Sequence, residues 1–82
     1  MDQASRKQRI HDLDVTVWVG KNGLDPVVGE LETQLDEAEF VKAKFLRAAR
    51  GGSTTEDLAA ELAERAGAEL VRTRGHKAVF ER

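Results

Sequence analysis

Twice along this chain the hydrophobic period switches from two residues to that of a helix. Over residues 14–20, Val15, Val17 and Val19 alternate with Thr16 and Trp18, the signature of a half-buried strand. Asp25-Pro26 then opens a stretch in which Val28, Leu31, Leu35 and Ala38 recur at helical spacing, with acids on the other side. Residues 39–46 repeat the strand pattern, with Val41, Ala43 and Phe45 facing one way and Lys42 and Lys44 the other. A second helix follows the punctuation R-G-G-S-T-T and presents Leu58, Leu62, Ala63 and Ala66. Strands with one apolar face and helices with one apolar stripe bury each other, so the pattern predicts an α/β chain of two layers.

The boundaries carry their own chemistry. Asp25 suits an N-cap, and Pro26 suits the first helical position, where its missing N–H would be unpaired anyway. Ser53 to Glu56 has the spacing of a capping box, and Gly67 is a natural helix stop because it takes the left-handed conformation cheaply. Residues 4–12 predict a short first helix. E-L-V-R-T (69–73) and K-A-V-F-E (77–81) predict two final strands turned at Gly75. The order is α-β-α-β-α-β-β, with a four-stranded mixed sheet. Read as two parallel pairs with right-handed crossovers, the β-α-β units bring both acidic helices to one face. The opposite face then shows Thr16 and Trp18 beside Lys42 and Lys44.

At 82 residues the chain reads as a single domain, 1–82, and without cysteine it has no disulfide or thiolate-metal staple. No apolar run approaches the ~20 residues of a membrane helix, and residues 1–14 lack the apolar centre of a signal peptide, so a cytoplasmic protein is expected. The net charge of −2 argues against a nucleic-acid binder, but the distribution argues the other way. Glu30, Glu32, Asp36, Glu37 and Glu39 fall in one stretch without a base, and Lys42, Lys44, Arg47 and Arg50 in the next without an acid. Residues 56–69 are again acidic apart from Arg65, and 70–82 carry Arg72, Arg74, Lys77 and Arg82 against Glu81. A partner responds to the local field more than to the sum.

Between the first strand and its helix lies Gly20-Lys21-Asn22-Gly23. Asn-Gly commonly turns a hairpin, but a helix follows here. Neither the Walker pattern nor the dinucleotide fingerprint is present. What remains is G-x-x-G before a helix N-terminus, which serves equally as a plain strand-to-helix turn or as a clamp on a nucleic-acid backbone of the kind KH domains use. In the second case the glycines leave room for the backbone, and Lys21 adds charge to the helix dipole.

The order of Gly20-Lys21-Asn22-Gly23-Leu24, Glu39-Phe40-Val41-Lys42-Ala43-Lys44, Gly67-Ala68 and the terminal strand Gly75 to Arg82 resembles the YhbY-like family, also called CRM domains (chloroplast RNA splicing and ribosome maturation). The likeness spans about residues 13–82. It implies a two-layer α/β fold similar to the C-terminal domain of translation initiation factor three. It also implies RNA binding through the G-x-x-G loop and the neighbouring basic surface. Stand-alone members are associated with large-subunit ribosome precursors, and multi-domain plant members with group II intron splicing. The expectation for a single domain is therefore a non-catalytic, monomeric protein without a cofactor that binds ribosomal RNA or its precursor, with ribosomal proteins as further partners.

The expected RNA-binding residues are Gly20, Lys21, Asn22 and Gly23 in the loop, Trp18, Lys42 and Lys44 on the strands, Arg47 and Arg50 after them, and Arg72, Arg74 and Lys77 around the last turn. Two roles are open to Trp18: stacking on a base or ribose, or packing beneath the first helix. Arg72, Arg74 and Lys77 either extend the basic track or only solubilise a hairpin. His11 and His76 have no partners at metal-binding spacing, and no nucleophile stands beside a base. The alternative expectation is a protein-interaction adaptor that uses the acidic helical face.

Overall fold

The computed structural model describes residues 3–82. Its elements are α1 (Gln3–His11), β1 (Val15–Val19), α2 (Asp25–Glu37), β2 (Phe40–Phe45), α3 (Arg47–Arg50), α4 (Thr55–Ala66), β3 (Glu69–Arg74) and β4 (Lys77–Glu81). The expected order is present, with α3 added as a single turn. Among the described residues no helix is long and apolar enough to cross a membrane.

The strands lie in the order β1-β2-β4-β3. β1 and β2 form the expected parallel pair, whereas β2 and β3 are not neighbours. β4 enters between them, antiparallel to both. The physical reason lies in β4 itself, whose Ala78, Val79 and Phe80 are all buried. A strand apolar on both faces belongs inside a sheet, while β3, with Arg72 and Arg74, tolerates the edge.

α2 and α4 cover one face. Leu31 and Leu35 of α2 and Leu62 and Ala63 of α4 form one core with Val17, Val19, Val41, Ala43, Phe45, Ala78 and Phe80. Ala38, expected on the buried stripe, is exposed at the C-cap, and Val27, one turn before Leu31, is buried while the expected Val28 is half-buried. Asp25 is not the N-cap either; Leu24 is, and its carbonyl accepts from the amides of Val27 and Val28. Burying Leu24 stabilises by about 1.5–3 kcal/mol, more than the ~1 kcal/mol of a side-chain cap. At α4 the cap is Thr54 rather than Ser53, its Oγ1 accepting from the Asp57 amide at 3.1 Å. Gly67 ends α4 in the left-handed conformation, as its sequence position predicts.

α1 lies across one end of the other face. Ile10 packs on Phe40 and Val79, with Leu13 and Val71 beside them. Arg6 pairs with Glu81 at 2.8 Å and Arg9 pairs with Glu39, and both guanidinium groups sit over the Phe40 ring, at 5.0 and 5.5 Å. Among the described residues, the rest of that face carries no helix.

Candidate nucleic-acid interface

Strand register decides what the uncovered face displays. Trp18 stands opposite Lys44, Lys44 opposite Lys77, and Lys77 opposite Arg74. With strands about 4.8 Å apart, these four side chains form a row across the whole sheet. One step towards α1, Lys42 stands opposite Val79 and Val79 opposite Arg72. The two rows enclose a shallow hollow of ≈ 40 Å³ lined by Lys42, Arg72, Arg74, Lys77 and Val79.

Arg72 and Arg74 reach this face because of a bulge. Leu70 packs into the core under α4, so strict alternation would send both arginines the same way. An irregularity between Leu70 and Arg72 inserts Val71, which packs towards α1, and turns the two arginines onto the open side. A bulge in β1 has the reverse effect on Thr16. Expected beside Trp18, Thr16 instead donates to Oε1 of Gln34 on α2 at 2.5 Å, and its carbonyl accepts from Gln34 Nε2 at 3.1 Å.

Trp18 is 55% exposed, so α1 does not cover it. The other exposed large hydrophobic residue among those described is Leu46, which follows β2 and donates its amide to the carbonyl of Val19. Leu46 thereby lies against Gly20, at the end of the sheet where β1 and β2 both finish. The sequence reading passed over Leu46, although the alternation through Lys42 and Lys44 already puts it on their side.

The G-x-x-G segment is a tight turn, closed by the Gly23 amide donating to the Gly20 carbonyl at 3.0 Å. Lys21 and Asn22 are exposed at its tip, and among the described residues their amides have no backbone acceptor. Gly23 has φ +77°, which favours glycine, whereas a methyl group at Gly20 would meet only Leu46 Cδ1 at 3.9 Å. The Asp25 carboxylate pairs with Arg65, which also binds Glu61 at 2.7 Å. That pairing offsets the negative charge at the start of α2.

The cations differ in what holds them. Arg6, Arg9, Arg65 and Arg82 are paired with carboxylates. Among the described residues, Lys21, Lys44, Arg72, Arg74 and Lys77 have none. Lys42 donates to the Leu13 carbonyl at 3.4 Å, and its pKa lies below the ordinary lysine value. Desolvation is the main cause, followed by repulsion from Lys77 and Arg72, with Asp14 opposing. Arg50 turns its Nε back to the Phe45 carbonyl at 3.3 Å, and Arg47 remains exposed on α3. Among the described residues no cluster of histidines and carboxylates has the make-up of a metal site.

The model of the CRS1 / YhbY (CRM) domain matches residues 2–82, nearly the whole chain. The chain belongs to the CRM domain family. A probable RNA-binding protein of Methanocaldococcus jannaschii is 36% identical over 70 residues, 85% of this chain. The CRM domain described here spans about half, 52%, of that relative. The solution structure of a hypothetical protein from Staphylococcus aureus superposes with a TM-score of 0.73 at 24% identity, covering 96% of this chain and 81% of that one. It shares the fold.

Proposed function

We propose that this CRM domain binds RNA on its open sheet face without catalysing a reaction. One observation carries the reading: the row Trp18–Lys44–Lys77–Arg74, three unpaired cations in register with an exposed indole. Phosphates answer the cations, and an unpaired base answers the indole. Lys21 and the free amides of the G-x-x-G turn add a second group of phosphate contacts at the end of the sheet, with Arg47 beside them. Lys42, Arg72 and Arg74 continue the charge towards α1.

The relative from M. jannaschii, a probable RNA-binding protein, supports this reading. The family resemblance extends it to ribosomal RNA during large-subunit assembly in the cytoplasm. The acidic helices support an adaptor less well, because Asp25 and Glu61 are engaged by Arg65, and Asp36 by Arg82.

Fluorescence anisotropy with fragments of large-subunit ribosomal RNA tests the proposal. Lys44→Glu/Lys77→Glu should abolish binding, while Glu32→Lys/Glu64→Lys on the helical side should leave it intact. Wild-type affinity in the first variant would refute the face assignment.

A further inference from the structure

Beyond the open row, α1 and β3 form the walls of a larger groove. It has a volume of ≈ 260 Å³ and is lined by Arg6, Lys7, Ile10, Val71 and Arg72. Its floor is apolar, from Ile10 and the bulge residue Val71. Its rim is cationic. Arg6 is neutralised by Glu81, but Lys7 and Arg72 have no carboxylate among the described residues. Arg72 also borders the small basic hollow on the open face, so the two depressions share one side chain.

An apolar floor under unneutralised cations suits a flat heteroaromatic group carried on an anionic backbone. We infer that this groove holds one unpaired nucleobase of the bound RNA, with its flanking phosphates on Lys7 and Arg72. The inference rests on the RNA-binding reading and deepens it. The substrate class becomes RNA with an unstacked nucleotide, because a base in a continuous helix presents only its edges and cannot enter a groove of this kind. The volume fits the assignment, being below the ~300–1,000 Å³ of pockets that enclose drug-sized ligands. The occupant is therefore one nucleotide rather than a larger structured element. The groove exists because β3 is bulged. The inserted Val71 supplies half the floor, and the same insertion aims Arg72 at the rim.

The test uses the full chain and two blunt RNA duplexes, one perfectly paired and one with a single bulged 4-thiouridine. Wild-type protein should bind the bulged duplex about fivefold or more tightly, the lower end of a base-stacking contribution. Ultraviolet cross-linking followed by peptide mapping should place the thiouridine on residues 7–10 or 71–72. Lys7→Glu, at an exposed position, and Val71→Phe, which fills the groove, should each bring the two affinities together, with circular dichroism confirming the fold. Because the cross-link is read on wild-type protein, misfolding of a variant does not blunt the test. A cross-link on Trp18, or a bulge preference that survives both variants, overturns the groove assignment and leaves RNA binding standing. Failure of wild-type protein to bind either duplex or the ribosomal fragments overturns both.

Discussion

Replacing Lys44 and Lys77 together by alanine removes the centre of the cationic row and little else, since both residues are exposed and lack carboxylate partners among the described residues. The consequence follows from counterion release. Lys21, Lys44, Arg72, Arg74 and Lys77 are the unpaired cations of the loop and sheet. If each neutralises one phosphate of single-stranded RNA, log affinity falls against log salt with a slope of about −3.5, at ~0.7 per phosphate. Between ~50 and ~200 mM salt the wild type then loses about 130-fold in affinity. The double variant keeps three contacts, which gives a slope of about −2.1 and a loss of roughly 20-fold over the same range. Anisotropy titrations at several salt concentrations, with melting curves showing an unchanged fold, measure both slopes. Equal slopes would mean that phosphates do not lie along this row.

The two loop glycines should separate by assay. Gly23→Ala, at φ +77°, should destabilise by about 1–2 kcal/mol in chemical denaturation, whereas Gly20→Ala should leave stability nearly unchanged and weaken RNA binding. Thr54→Ala removes the cap on α4 and should cost about 1 kcal/mol by the same measurement. Phe40→Ala takes away the ring under Arg6 and Arg9 along with the seat of Ile10; a loss of about 3–5 kcal/mol is expected. Lys42 holds its proton less tightly when folded, so the unfolded chain binds more protons just below the ordinary lysine pKa and stability rises with pH there. Lys42→Gln should flatten that rise in denaturation curves recorded across the alkaline range.

The sequence showed most of the fold wherever a signal is local. Period-two alternation located β1 and β2, K-A-V-F-E gave the bounds of β4, and Gly67 marked the end of α4 through its conformational freedom. Strand order was less legible, because it follows from β4 burying three consecutive residues, which none of the other strands does. The bulges left no local trace. Leu70, Arg72 and Arg74 alternate like any strand, and only the competition between burying Arg72 under α4 and inserting Val71 beneath α1 decides the register. Thr16 illustrates the converse: its alternation with Trp18 is regular in sequence, yet a bulge gives it to Gln34. Placement on the open face was therefore readable for Trp18, Lys42 and Lys44. For Arg72 and Arg74, that placement depends on a backbone irregularity.

The same irregularities bear on how copies of the domain behave together. β1 and β3 are the two outermost strands, and each is interrupted by a bulge. An outermost strand is a template for another chain only while its free amides and carbonyls run on in step, and a bulge breaks the step and twists the margin away. At β1 the Gln34 amide also occupies the Thr16 carbonyl. Neither margin offers a neighbour an unbroken ladder. Such a domain can be concentrated, or strung in series along one polypeptide, without its copies merging into a common sheet.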